Sequence, residues 1–438
     1  MPLAPGLNAA FADLEKADCI FLLGSNLQKE QPVAALRLRK AYLRGAAILA
    51  LNPMDYRFHF RVKAKKIVAP DELAYALAGV AKALLAQTPA QLDPKLTALL
   101  DAVTVDETQR VMAEQLKNSK QGFILVGALA FHHPQASVLR RLAAFIAETT
   151  QTKLGFLTEG ANAAGAWLAG AVPHRRPGGK INTHVGLNVQ AMLEKNRKGY
   201  LLLNLEPDLD FANPVLAGSA FKQAEFVVAF STFDSPALRE AAKVILPITP
   251  FTETSGTFVN AAFDWQSFKP VASLPDNAQP AWKALCSMGN LFQLPGFRYE
   301  TVDQIRDEIR VTVQNTEWVE TRISWKDVAL PTPAELTLSR IGEIPLYAVD
   351  GLARRAKALQ ATQKIVEGEL AAVRLHPVYA QELGFKAGDM LSIKQKNGAV
   401  RLPLVLDERV PSRAAWIPGG IKETLGLSEL FGTLELSR

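Results

Sequence analysis

The sequence predicts an α/β protein with doubly wound parallel sheets, followed by a small C-terminal β-barrel. Three observations carry that expectation. Short apolar runs alternate with longer amphipathic stretches through the first two-thirds of the chain, which is the pattern of a parallel sheet covered by helices on both faces. That rhythm stops after residue 247. From about residue 343 the chain reads instead as short alternating strands separated by turn signals.

The elements follow in order. CIFLLG (19–24) is apolar throughout and reads as a strand buried on both faces. QPVAALRLRKAYLRG (31–45) has an apolar stripe at helical spacing, with Gly45 placed to cap its end. AAILALN (46–52) is the next strand and ELAYALAGVAKALLA (72–86) the next helix. The strand GFILVG (122–127), the helix SVLRRLAAFIAETT (137–150) and the strand and loop KLGFLTEGANAAGAWLAG (153–170) repeat the step. YLLLNL (200–205), EFVVAF (225–230) and KVILP (243–247) are strands, with the helix SPALREAA (235–242) before the last. A polar and aromatic loop, TETSGTFVNAAFDWQSF (252–268), then precedes helices in AWKALCSMGNLFQL (281–294) and TVDQIRDEIRVTVQNT (301–316). PTPAEL (331–336) reads as a linker, and the NG step at 397–398 signals a hairpin. The expected division is a first α/β segment over 1–120, a second over 121–335 and a barrel over 343–438.

Composition excludes several classes. A chain of 438 residues, 48% hydrophobic and 21% charged, has the make-up of a globular protein with two or three cores. No apolar stretch reaches the eighteen or so residues that a membrane helix needs, and the N-terminus lacks a secretory pattern. Cys19 and Cys286 stand alone, whereas an iron–sulfur cluster takes four thiolates. Both read as small buried hydrophobes in a reducing compartment. The net charge of +6 comes from scattered cations, with local groups RLRK (37–40), KAKK (63–66) and HRR (174–176) that read as solvated helix faces. HRRPGGK (174–180) reads as a mobile surface loop. No nucleic-acid partner is expected. His132 and His133 are adjacent and point apart, so no metal site is expected there either.

LGSN (23–26) ends the first strand. In doubly wound folds ligands bind at the carboxyl ends of strands, near the topological switch point. Gly24 lets backbone approach a phosphate, and Ser25 and Asn26 offer hydrogen bonds. The GxGxxG pattern is missing, which argues against a nicotinamide site. NPMDYR (52–57) puts Asp55 at the end of the second strand, where a carboxylate holds a ribose or simply closes an Asn-Pro turn. EGANAAGAWLAG (159–170), with Asn162, has small residues suited to close packing or to a bulky ligand, and packing is the expected role. No GxSxG, HExxH or GxxxxGK[ST] occurs, so no catalytic residue and no metal ligand is expected.

The ordered segments ADCIFLLGSNLQKEQPVAALRLRKAYLRGAAILALNP, GFILVGALAFHHP, TEGANAAGAWLAGAVPHR and VILPITPFTETSGTFVNAAFDWQSF resemble the molybdopterin oxidoreductase superfamily. RLHPVYAQELGFKAGDMLSIKQKNGAVRLPLVL is similar to its dinucleotide-binding barrel. FTETSGTFVNAAFDWQSFKPV, then Pro280-Ala281-Trp282-Lys283 and a helix with Gly289-Asn290, is most similar to the large peripheral-arm subunits of bacterial NADH:quinone oxidoreductase, respiratory complex I. The resemblance implies an assembly that passes electrons from NADH through iron–sulfur clusters to quinone. It also implies other peripheral-arm subunits as partners, at the cytoplasmic side of the inner membrane.

Two departures shape the expectation. The cysteine-rich region that carries clusters in that family has no counterpart here, so the chain is expected to be the C-terminal part of a longer protein. Where the family runs N-x-E-G-R-x-Q, this chain has Asn260-Ala261-Ala262-Phe263-Asp264-Trp265-Gln266. Asp264 thus replaces the Arg that a phosphate prefers. The implied role is a structural, non-catalytic segment without a cofactor of its own. Molybdopterin is not expected, the clusters belong to the missing region, and Gly24, Ser25, Asn26, Asp55 and Asn162 form a vestigial pocket. The alternative is one part of an active split molybdopterin-dependent oxidoreductase, in which these residues clamp the cofactor.

Overall fold

The run CIFLL forms β1 (Cys19–Leu23), buried along its whole length. Its side chains alternate between two cores: Cys19, Phe21 and Leu23 enter one, Ile20 and Leu22 the other. In this computed structural model, which describes residues 5–87, 93–273, 277–316, 324–330, 337–396 and 398–438, β1 is the centre of a parallel sheet. With β2 (Ala47–Asn52), β3 (Ala64–Ile67), β4 (Gly122–Val126) and β5 (Lys153–Phe156), the order is β3-β2-β1-β4-β5. The helix Pro32–Leu43 covers one face through Ala34, Leu38 and Ala41. Helices Leu73–Leu85, Glu107–Lys117 and Ala136–Thr150 cover the other. The sheet is therefore doubly wound, and its direction reverses between β1 and β4.

Two expectations change here. β4 pairs with β1, Cys19 opposite Gly122, so the boundary expected at 120/121 cuts through one sheet. KAKK (63–66) is not a helix face; it supplies the edge strand β3, where lysines discourage further pairing. Lys65 pairs with Asp55 at 2.6 Å and Lys66 with Asp106.

A second parallel sheet contains β6 (Gly199–Leu203), β7 (Phe226–Ser231) and β8 (Val244–Pro247), in that order. Helices Val189–Glu194, Pro214–Gln223 and Pro236–Ala241 pack on one of its faces, around Leu202, Val227 and Ala229. HRRPGGK, expected as a solvated loop, is instead partly buried. Arg175 is 3% exposed, and Gly178 (φ +79°) lies so close to Thr312 and Thr316 that a Cβ would sit 2.7 Å from each.

TETSGTFVNAAFDWQSF is a hairpin of β9 (Gly256–Val259) and β10 (Trp265–Phe268), with Val259 opposite Trp265. The closing domain is a barrel of β11 (Leu338–Ile341), β12 (Val373–Leu375), β13 (Met390–Gln395), β14 (Gly398–Leu406), β15 (Ala414–Trp416) and β16 (Thr433–Ser437). β13 and β14 form the expected hairpin, Gln395 opposite Gly398. Asn397 and the linker 331–336 lie outside the described residues. The barrel caps the carboxyl end of the first sheet. Met54, Tyr56, Ala69 and Leu129, which follow β2, β3 and β4, share a core with Ile341, Val410, Trp416 and Phe431.

Candidate functional site

The loops after β1 and β4 meet at the switch point, where a doubly wound fold would bind a ligand. Gly24 turns there with φ +58°, and its carbonyl accepts from the amides of Leu129 (3.0 Å) and Ala130 (3.3 Å). A Cβ on Gly24 would lie 2.7 Å from Ala130, and one on Gly127 would lie 2.4 Å from the Ser25 Cβ. Both glycines are needed for this close approach, which closes the crevice with protein.

Ser25 is fully buried and fully engaged. Its amide donates to Asn52 Oδ1 (2.7 Å), and its carbonyl accepts from Asn52 Nδ2 (3.1 Å). Its hydroxyl donates to Glu30 Oε2 at 3.0 Å, while the Asn26 amide donates to Glu30 Oε1 at 2.7 Å. The Ala128 amide, at the start of the short helix after β4, also donates to Glu30. Burial pushes the Glu30 carboxyl up to about 7, against the hydrogen bonds that favour its ionised form and with the nearby Glu343 charge.

Glu343, just past β11, joins the barrel to this centre. Its side chain is 11% exposed. It accepts from Asn26 Nδ2 (2.6 Å), the Tyr56 hydroxyl (3.2 Å) and Trp416 Nε1 (3.1 Å). Burial, then the Glu343 and Glu30 charges, raise the Tyr56 phenol well above its ordinary value. Lys29 lies 2.6 Å from Glu367 and 4.0 Å from Glu343.

The five residues singled out in the sequence do not make one site. Gly24, Ser25 and Asn26 come together. Asp55 faces a separate pocket of about 400 Å³ beside the barrel, lined also by Glu72, His376, Arg409 and Arg413. Arg409 is held by Asp407 (2.8 and 2.6 Å) and Arg413 by Glu72. Asn162 points to the hairpin, where its Oδ1 accepts from the Val259 amide at 2.8 Å. Of the residues after it, Ala164 and Leu168 are buried.

Asp264 closes the hairpin tip. Asn260 Oδ1 accepts from the amides of Ala262 and Asp264 (2.9 Å each), and Asn260 Nδ2 donates to Asp264 Oδ2 (3.1 Å). Of the loop's aromatics, Phe263 and Trp265 pack with Ala164, Leu168 and Val259. Phe251, Phe258 and Phe268 cluster apart, with Phe251 53% exposed.

Sequence reasoning missed Glu30, Tyr56, Glu343 and the pair His132–Glu159 (2.8 Å). Burial opposes the charged His132, but the Glu159 hydrogen bond and charge, with Glu30 behind them, raise its pKa. The short acidic-Pro step after LGSN was the available signal for Glu30. Nothing in the sequence joins Glu343 to Asn26, 317 positions away. Among the described residues no group of three or more His, Cys, Asp or Glu side chains could hold a metal ion. Among them, too, no helix is long and apolar enough to cross a membrane.

A 3-2-1-4-5 parallel sheet with its switch point under a closed barrel defines an α/β protein of the doubly wound class. Residues 4–290 match the molybdopterin oxidoreductase family, and the chain belongs to it. It is 27% identical over 449 residues to the G subunit of NADH-quinone oxidoreductase from Streptomyces coelicolor, covering 94% of this chain and 49% of that protein. The corresponding NADH-quinone oxidoreductase chain of Mycobacterium bovis is 25% identical over 442 residues, with 93% and 49% covered. The F420-dependent formate dehydrogenase subunit alpha of Methanocaldococcus jannaschii is 23% identical over 353 residues, with 68% and 51% covered. The chain thus spans about half the length of the curated relatives it matches. Acetylene hydratase from Pelobacter acetylenicus shares the fold, with a TM-score of 0.69 at 14% identity over 98% of this chain and 78% of that one.

Proposed function

We propose that this chain is a structural, non-catalytic segment of an NADH:quinone oxidoreductase of the complex I type. It braces the peripheral arm against neighbouring subunits on the cytoplasmic side of the membrane. The relatives that carry the NADH-quinone oxidoreductase name support the assembly. Glu30 supports the non-catalytic part.

Amides at the start of a helix, beside a tight glycine turn, are where a doubly wound fold receives a phosphate. Here the Ala128 amide serves Glu30, and the Leu129 and Ala130 amides serve the Gly24 carbonyl. Ser25 and Asn26 also direct their donors to Glu30 and Glu343. The family name implies a molybdopterin, whose phosphate would meet two carboxylates in place of these donors. The residues present do not fit that group. Electron transfer by this chain's own thiols has no support either: burial raises the Cys19 thiol to about 12, and Cys286 is likewise a free thiol.

The test is to purify the protein with its native assembly and analyse both activity and cofactor content. It should co-purify with NADH:quinone oxidoreductase activity, while pterin, molybdenum and tungsten attributable to this chain stay well below one per chain. Stoichiometric pterin bound to it would overturn the structural reading. Its absence from the active assembly would overturn the placement.

A further inference from the structure

Neighbouring parallel strands are usually joined through a helix. β2 and β3 are joined instead by residues 53–63, which contain none. The second half of this crossover reads Arg57-Phe58-His59-Phe60-Arg61-Val62-Lys63, basic and apolar residues in strict alternation. The structure keeps that alternation. Phe58, Phe60 and Val62 join the core that holds Ala34, Leu38 and Ala41, and the Phe58 and Phe60 rings stack at 5.3 Å with 3° between their planes. Arg57, His59, Arg61 and Lys63 are all exposed. The strip is fixed at both ends. The Gln28 side-chain amide donates to the Arg57 carbonyl (3.0 Å) and accepts from the His59 amide (2.8 Å), and the Lys63 amide donates to the Ile48 carbonyl (2.7 Å).

Charge on this strip is unbalanced. No Asp or Glu occurs between Tyr56 and Pro70. Lys65 and Lys66, on β3, have their carboxylates in Asp55 and Asp106. Among the described residues Arg57, His59 and Arg61 enter no ion pair, and Lys63 donates to the neutral Gln115 side chain at 2.9 Å. We propose that the strip binds an extended acidic segment of another polypeptide, with a carboxylate at every second residue facing Arg57, His59, Arg61 and Lys63. Same-face residues on extended chains repeat at about 6.7 Å, against about 5.4 Å per helical turn, so a helical partner slips by about 4 Å over three steps and loses register. Single-stranded nucleic acid binds where aromatic side chains are open to stack its bases. Here Tyr42, Phe58 and Phe60 are packed against one another instead. A second copy does not fit either. Among the described residues the one run of three alternating carboxylates is Glu206, Asp208 and Asp210. It is folded into a turn, the Asp210 amide donating to the Glu206 carbonyl at 3.0 Å, and its outer members are held by Arg354 and Arg355. The neighbouring polypeptide is supplied by the multi-subunit reading above, on which this step rests.

The test uses the full chain in its native assembly, with a benzophenone amino acid at His59 and, as control, at the exposed Val215 on the helix Pro214–Gln223. Cross-links from 59 should map to one acidic segment of a different polypeptide, which the 215 site should not reach. Arg57→Glu/Arg61→Glu should lower retention of that polypeptide by about tenfold or more, most strongly at low salt, while Arg57→Lys/Arg61→Lys keeps it within about threefold. Both variants should keep the wild-type thermal midpoint, since neither guanidinium has an ion partner among the described residues. A synthetic nonapeptide with Glu at alternate positions and Thr between should bind the chain more tightly than one of the same composition with its Glu residues contiguous. Cross-links to lipid, nucleic acid, a second copy, a segment without Asp or Glu, or nothing overturn the proposal, as do unchanged retention in Arg57→Glu/Arg61→Glu and equal binding of the two peptides. If the cross-linked polypeptide belongs to no NADH:quinone oxidoreductase, the binding strip stands and the function proposed above fails. If that activity co-purifies and no acidic segment is reached, the function stands and the strip fails.

Discussion

Glu30 is the residue on which the candidate site turns, and its ionisation makes a testable stability statement. Burial lifts its folded pKa to about 7 from an ordinary value of 4.5. Between those values the folded protein holds a proton that the unfolded chain has released. Stability from this group is therefore fully present below pH 4.5 and is lost as the pH rises through 7. The full excursion is roughly 3 kcal/mol, since each tenfold change in acidity is worth about 1.4 kcal/mol. Glu30→Gln removes the titration while keeping one acceptor oxygen. The difference in urea unfolding free energy between wild type and variant, measured from pH 5 to 8, reports the contribution of Glu30. Relative to the variant, the wild type should lose stability steadily up to about pH 7. A difference that stays flat or reverses sign would refute a buried, high-pKa carboxylate at the switch point.

At the scale of elements, what the sequence made legible follows physical periodicity. β1 and β2 were readable because a strand buried on both faces is a continuous apolar run, and Pro32–Leu43 because its small and large apolar residues recur at helical spacing. β3 was hidden because an edge strand is defended by the same lysines that mark a solvated surface. The hairpin β9–β10 was hidden because its tip has no Asn-Gly step. Asn260 closes it with side-chain bonds, and Phe263 takes φ +65°, a conformation that a bulky residue rarely adopts. That geometry separates two substitutions that sequence comparison alone would rank the other way. Asp264→Arg removes one exposed contact to Asn260 and should cost less than about 1 kcal/mol, without adding affinity for phosphate or pterin. Asn260→Ala strips the acceptor from two backbone amides and should cost about 1–2 kcal/mol. Chemical denaturation of the two variants checks the order, and calorimetric titration with phosphate checks the missing affinity.

At the scale of the whole molecule, the site was only half legible, because its remaining members arrive from a distant part of the chain. Gly24, Ser25 and Asn26 stand next to each other in sequence and stay together in the fold. Glu343 reaches them only because the barrel docks over the carboxyl ends of β1 to β4, and no periodicity announces that docking. Asp55 and Asn162, also at strand ends, were drawn away by Lys65 and by the hairpin. Glu343 is then a buried polar link, beside the Arg413–Glu72 and Lys29–Glu367 pairs, between two cores that each fold around their own apolar clusters. Glu343→Ala leaves the Asn26 amide, the Tyr56 hydroxyl and the Trp416 indole without their acceptor. It should destabilise the docked state by about 2–4 kcal/mol, given about 1–3 kcal/mol per buried group left unsatisfied and partial relief by water. Glu343→Gln keeps the volume but turns an NH₂ toward those donors, so it should cost nearly as much. Scanning calorimetry gives the readout: in both variants the barrel should melt apart from the first sheet, broadening or splitting one transition into two. A single sharp transition shifted by less than about 1 °C, where 1 kcal/mol in a large domain moves the midpoint by about 2–4 °C, would mean that the shared apolar core of Met54, Leu129, Ile341 and Trp416 couples the units without this carboxylate.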